Sequence, residues 1–372
     1  MQDRDLSNPN AHPADKNSAA PPSAPATPVP SLSVAQAFAN QVDYCRANGA
    51  PITARVVAAI AQLLGEPHSL FAHRMAHWAG NALADALPLR AAAGFHALHM
   101  AHQAPDLAPI YADATGVNDA LIINAVARRF DAELLTWLDS PPQTNEAGRS
   151  SSFIAAMLWL THQGCPARFD VMEIGSSAGI NLMIDRYHYD LGGVHVGPQD
   201  AVMRLQPEWR GHHPPQHSLE FISLAGCDVA PIDLCDDEQA NRLKAYIWPD
   251  NPIRFARLEA AIAAAQAKPP SLSRMNAADF VEQQLRRPQL AGTTRVLMHS
   301  IVWQYIPDDQ QQHIILAMEA AGRAATPDRP LAWISLEANR SLLQHELILR
   351  HWPSAPEPHK LAQAHAHGAW VN

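Results

Sequence analysis

The segment Phe169-Asp170-Val171-Met172-Glu173-Ile174-Gly175-Ser176-Ser177-Ala178-Gly179-Ile180-Asn181 constrains this chain more than any other. An aliphatic run, a turn of small residues and a second apolar stretch read as strand, tight turn and helix. Glycine in the turn permits conformations and close approaches that a Cβ forbids. A helix leaving such a turn offers free backbone N–H groups to a ligand. The same alternation continues through residues 143–372. The pattern predicts strands at Phe169–Ile174, Leu219–Leu224, Leu272–Met275, Arg295–His299 and Leu331–Leu336, with a C-terminal piece near Gly368–Val371. Helices are expected at Ser151–Gln163, Ala178–Tyr187, Glu238–Ile247, Arg254–Ala267, Ala278–Leu285 and Asp308–Ala320. Strands alternating with helices imply an α/β domain whose mostly parallel sheet is covered on both faces.

Residues 33–142 read differently, with helical spacing throughout and no strand-like alternation. Val34, Phe38, Val42 and Cys45 recur on one helix face. Val56, Val57, Ile60, Leu63 and Leu64 do so on another, stopped by Gly65 and Pro67. Further helices fit Leu70–Asn81 and Leu89–His102. Asn118 is placed to cap a helix over Asp119–Leu138. These stripes predict an all-helical domain. Residues 1–32, rich in Pro, Ala, Ser and Asn, bury too little to offset ordering and read as a disordered tail.

Composition removes several function classes. Of the 372 residues, 47% are apolar, enough for a sizeable core, and the formal charge is −9. A net acidic chain without a basic stripe is not built for nucleic acid. No run of about 18 apolar residues exists to span a membrane. Cys45, Cys165, Cys227 and Cys235 form no CxxC pair, which argues against a zinc cluster or a disulfide framework. Together with the lack of an apolar leader, this predicts a cytoplasmic protein. The 20 histidines are scattered, no HExxH is present, and no metal site is expected. The sequence leaves the oligomeric state open.

The glycine spacing is G-x-x-x-G, so the dinucleotide fingerprint lacks its middle glycine, and Glu173 stands two residues before the first. Both features disfavour a nicotinamide-dependent oxidoreductase. The pattern E-x-G-x-x-x-G resembles the first motif of Rossmann-like S-adenosylmethionine-dependent methyltransferases. That resemblance implies a Rossmann-like, methyltransferase-type sheet, with Glu173, Gly175, Ser177 and Gly179 holding the cofactor. It also implies an acid after the second strand for the ribose hydroxyls. Asp228 is the candidate, with Asp233 and Asp200 as rivals, and residues 189–216 would loop out as an insertion. Asn276 stands where these enzymes often carry an acid near the adenine. At the end of the fourth strand His299 and Tyr305 are candidate bases, and Trp303 and Gln304 offer stacking and hydrogen bonds to a substrate. In Gln143-Thr144-Asn145-Glu146-Ala147-Gly148-Arg149, the first polar residues suit a helix cap. Arg149 exceeds what a cap needs and could clamp a carboxylate bidentately. Asn145 and Arg149 are therefore assigned to substrate.

The runs QTNEAGRS, EIGSSAGINL-x-x-DRY, the stretch from Asp228 to Trp248-Pro249, HSIVWQY, ATPDRPLAW and AHGAWV occur in that order. Together they resemble bacterial domain-of-unknown-function family 2332 over roughly residues 36–372. The C-terminal half of that family is itself similar to methyltransferases. The expectation is a methyltransferase acting on a small molecule, with no nucleic-acid or membrane partner. The alternative is a methyltransferase-like binding or scaffold protein without turnover. A valine at Gly175 is expected to intrude where the cofactor must lie.

Overall fold

A computed structural model describes residues 32–65, 67–339, 342 and 344–372. Residues 1–31 of the expected tail lie outside the described residues.

The N-terminal half is helical: α1 (Val34–Ala47), α2 (Pro51–Ala61), α3 (Leu70–Ala76), α4 (Leu87–Met100), α5 (Ala108–Tyr111), α6 (Asp119–Arg129) and α7 (Asp131–Leu135). Ser33 and Gln36 form a reciprocal capping box at α1. Asn118 caps α6 as its position foretells. The single helix expected over Asp119–Leu138 is broken at Phe130. The Asp131 carboxylate is drawn off to accept Leu70 N and Phe71 N at 2.9 and 2.8 Å, so it caps α3 instead. Phe38, Ile60, Phe71, Phe95 and Leu134 are wholly buried in the core of this half.

The second half contains α8 (Ser150–His162), β1 (Arg168–Ile174), β2 (Tyr187–Leu191), β3 (Val194–Val196), β4 (Met203–Leu205), β5 (Glu208–Trp209) and β6 (Glu220–Asp228). It continues with α9 (Asp237–Ala245), α10 (Pro252–Ala267), β7 (Ser271–Arg274), α11 (Ala277–Leu285), β8 (Thr294–Ser300) and α12 (Asp308–Arg323). It closes with β9 (Leu331–Asn339), β10 (Gln344–Trp352), β11 (Ala355–Ala364) and β12 (Trp370–Val371). Nine strands form one sheet in the order β5-β12-β11-β10-β9-β8-β1-β6-β7. The run β7-β6-β1-β8-β9 is parallel, β10 and β11 add antiparallel strands, and β5 pairs parallel to β12. Side chains alternate between the faces. Phe169, Val171, Val296, Ile334 and Leu347 pack on α8 and α10. Met172, Ile174, Leu297 and Trp333 pack on α11 and α12.

Two expectations fail here, and one hairpin was not foreseen. Residues 178–187 do not form an α-helix: Gly179 is left-handed (φ 72°), a kinked 3-10 helix spans Ile180–Arg186, and β2 begins at Tyr187. The buried Tyr187 and Tyr189 dictate this, since their hydroxyls donate back to Ile180 O (2.9 Å) and Ile184 O (3.1 Å). Residues 189–216 are not a plain loop, because β2, β3 and β4 make a small second sheet. The hairpin β10–β11 was illegible because β11 carries Pro356, Pro358 and Lys360 on an exposed strand. Among the described residues no helix is long and apolar enough to cross a membrane.

The halves are joined by a cap in trans. Ala50 precedes α2 and has no capping side chain. Asp250 supplies one from 197 positions away, accepting Ile52 N at 2.8 Å and Thr53 N at 2.9 Å.

Candidate functional site

Strand β1 is central, with β6 on one side and β8 on the other. Connections leave it in opposite directions, so the crevice at the carboxyl ends of β1 and β8 is the place where such sheets bind ligands. The turn after β1 lies there. Gly175 (φ 66°), Ser177 (φ 52°) and Gly179 (φ 72°) are left-handed, and Ser177 holds that conformation despite its side chain. The turn is pinned by its own hydrogen bonds. Ser176 N donates to Cys227 O (2.9 Å), Ser177 N to Asp228 Oδ2 (2.9 Å) and Gly179 N to Ser176 O (2.7 Å). A Cβ on Gly175 would strike Val302, and one on Gly179 would meet Pro270 Cγ at 2.8 Å. The space these glycines leave is thus taken by the chain itself.

Beneath the turn is Glu173, 1% exposed. Burial pushes its carboxyl up to about 7, only partly offset by Ser176, Asn181 and the charge of Arg149. Its Oε2, both amide atoms of Asn181 and the Ser177 hydroxyl are buried without a hydrogen-bond partner. Arg149 is 4% exposed, and burial draws its guanidinium down to about 10. Its Nε donates to Ala366 O at 2.8 Å. Glu146 is engaged elsewhere, with Arg254 Nε at 2.7 Å and Arg257 Nη1 at 3.9 Å.

The opposite face carries a second polar cluster. His299 Nε2 accepts from Trp333 Nε1 at 2.9 Å, which leaves Nδ1 to donate to Glu337 Oε1 at 2.7 Å. Glu337 Oε1 also accepts Val302 N (3.1 Å) and Trp303 N (3.3 Å). Burial works against the Glu337 charge, yet these donors hold its carboxyl below the usual value. Trp303 stacks on His299 with centroids 5.2 Å apart. Tyr305 is 73% exposed.

Two sizeable cavities lie elsewhere. One of about 590 Å³ is lined by Asp185, Tyr189, His195 and His217. Another of about 670 Å³ is lined by Leu98, Trp137, Arg242 and Phe255. Neither borders the Gly175–Gly179 turn. Among the described residues no group of three His, Cys, Asp or Glu stands together to hold a metal ion.

A family model described as an uncharacterized protein conserved in bacteria (DUF2332) matches residues 35–372. The chain belongs to that family. No curated protein and no solved structure matches it.

In this DUF2332 chain, Glu173, Ser177, Gly175, Gly179 and Asp228 do meet at one turn, with Arg149 and Asn145 beside it. Several roles expected from the sequence change. Asn145 accepts Ile180 N at 2.8 Å and positions the turn rather than a substrate. Asn276 caps α11 through Asp279 N (2.9 Å) and donates one amide hydrogen to the Asp279 carboxylate, so part of its amide serves the helix. Asp228 uses one oxygen on Ser177 N and the other on Ala230 N. His299 is no base, because both ring nitrogens are committed inside the protein. It also points to the face opposite Glu173, one strand away. Gln304 and Tyr305 are exposed at the rim, and Trp303 is half-buried there. The sequence reading missed Glu337 and the His345 side chain near Arg149. For Glu337 the available signal was an acid closing a strand, the feature that singled out Glu173.

Proposed function

We propose that the crevice at the carboxyl ends of β1, β6 and β8 binds S-adenosylmethionine and serves methyl transfer to a small molecule. The observation carrying this reading is the buried pair at the end of β1, Glu173 Oε2 and the Asn181 amide, which lie near each other without forming a well-aligned hydrogen bond. Such groups are costly to leave unsatisfied. A ligand bearing an ammonium group and hydrogen-bonding atoms relieves both. The parallel order β7-β6-β1-β8-β9 supports the reading, since it is the doubly wound arrangement around a switch point.

The residues fit the cofactor in part. Glu173 and Asn181 would hold its amino-acid end once their cover opens, and the turn would fix their position, with Val302 and Pro270 already filling the space beside Gly175 and Gly179. Each Asp228 oxygen keeps a lone pair for a ribose hydroxyl. Asn276 fits less well, because Asp279 takes one lone pair and one amide hydrogen of it. The cofactor supplies an electrophilic methyl group when bound. The protein's own work is orientation and exclusion of water. With His299 ruled out as the base, Tyr305 is the group at this rim for an acceptor that must lose a proton, and Trp303 and Gln304 face the acceptor.

A second reading, a binding protein without turnover, draws on the internal commitments of Asp228, Asn276 and His299. Calorimetric titration with S-adenosylmethionine and S-adenosylhomocysteine tests the first. Micromolar binding of both, weakened about tenfold or more in Glu173→Gln, supports it. No binding at millimolar concentration refutes it. Binding without methylated product across a metabolite screen selects the second.

A further inference from the structure

We infer that Arg149 anchors an anion subsite, and that the acceptor carries a carboxylate or phosphate group that docks there. The argument begins with an unbalanced charge. Arg149 is buried, yet among the described residues no carboxylate lies within 4.0 Å of its guanidinium. Its Nε holds Ala366 O, while Nη1 and Nη2 make no hydrogen bond to a described residue. Neither terminal nitrogen is sealed from solvent, as the Glu173 and Asn181 atoms are.

Each neighbouring acid is accounted for. Glu146 serves Arg254 and Arg257. Glu337 commits Oε1 to His299, Val302 N and Trp303 N, and with Glu146 it acts on Arg149 only from beyond ion-pair distance. Glu173 is held toward its neutral form by burial. The histidines around Arg149 add no countercharge. His345 and His367 are both pushed down, chiefly by burial and also by the Arg149 charge, and His367 Nδ1 is buried without a partner. A buried cation with carboxylates only beyond ion-pair distance is unfavourable. Two free N–H edges of a planar fork match a carboxylate or a phosphate.

Position separates this subsite from the cofactor. Asp228 lies at the end of β6, on one side of β1. Ala366, His367 and His345 belong to the β10–β12 side, and the Ala366–Gly368 loop packs on Gly148, with His367 O 2.7 Å from where a Cβ would stand. The anion subsite stands independently of the cofactor reading, whereas its assignment to the acceptor rests on that reading.

The test titrates the full chain with inorganic phosphate, acetate and succinate at constant ionic strength, with and without saturating S-adenosylhomocysteine, and repeats it on Arg149→Lys and Arg149→Gln. At least one oxyanion should bind, at least tenfold more weakly in both variants, and should still bind alongside S-adenosylhomocysteine. Absence of millimolar binding by all three, or equal binding by the variants, overturns the subsite. Mutual exclusion with S-adenosylhomocysteine would put the cofactor's own carboxylate on Arg149 and overturn the acceptor assignment. Failure of S-adenosylhomocysteine to bind sinks the cofactor reading and the acceptor assignment with it, while the anion titration still decides the subsite. Should the variants fail to fold, histidine-labelled NMR of the unmodified protein decides. Anion binding at Arg149 shifts the His345 and His367 ring signals, and unmoved signals refute it.

Discussion

Glutamine at position 173 keeps the shape of the side chain and removes its charge, which isolates the cost of ionising Glu173. Burial raises this carboxyl from 4.5 to about 7 in the folded protein. At 1.36 kcal/mol per pKa unit, the ionised form costs the fold about 3 kcal/mol. The sign follows from a folded-state pKa above the unfolded one. The favourable contribution is fully present below 4.5, where the group is neutral in both states. It is lost as pH rises through about 7, because the unfolded chain ionises freely and the folded one does not. Urea unfolding of the wild type and Glu173→Gln at pH 5 and pH 8 reads this directly. The variant should gain on the wild type by about 2 kcal/mol between those pH values. Any fixed change caused by the glutamine amide cancels in that difference. A gap that stays flat or narrows with rising pH would refute the argument that Glu173 sits uncompensated. A cationic ligand at the site should likewise bind more tightly as pH rises through 7, since it favours the ionised form.

Other perturbations separate architecture from chemistry. Alanine at His299 strips partners from Trp333 Nε1 and Glu337, so chemical denaturation should register a loss of about 1–3 kcal/mol. Ligand titration should be unchanged in that variant, because His299 faces away from Glu173. Asp250→Ala removes the cap on α2 and should lower stability by about 1–2 kcal/mol in the same assay. Asp170→Ala leaves Arg295, 5% exposed, without the carboxylate 2.9 Å from its Nε. Its unfolding free energy should drop by about 3–5 kcal/mol. Gly175→Ala drives a Cβ into Val302 at a left-handed φ, and thermal melting should show a destabilised protein before any ligand is added. A Gly175→Val variant therefore reports on folding as much as on cofactor binding.

The central parallel strands were legible because they carry short aliphatic runs between helical stretches. Phe169–Ile174 and Arg295–His299 fall within β1 and β8 almost residue for residue. What periodicity could not show was tertiary override. Residues 180–186 have a helical apolar pattern, but two buried tyrosine hydroxyls fold them into a tighter turn. Strand β10 is mixed in composition, and its alternation emerges only when Leu347 and Leu349 are seen packing with the α8-side core. The site divides in the same way. Glu173 and its turn announce themselves locally, through an acid beside small residues. The hydrogen bonds of His299, Asn276 and Asn145 depend on partners set by the fold, so a single residue string shows these side chains uncommitted. Arg149 was noticeable as surplus polarity, but its lack of a counterion is a property of the assembled interior.

The hydrogen bond from Arg149 to Ala366 spans 217 positions of chain. During synthesis the arginine emerges long before the segment that fastens it. Until residues 365–368 reach the turn at Gly148, the guanidinium stays hydrated. The later segment thus dehydrates the charge, and a chain stalled before Ala366 would lack β12 and, with it, the pairing partner of β5.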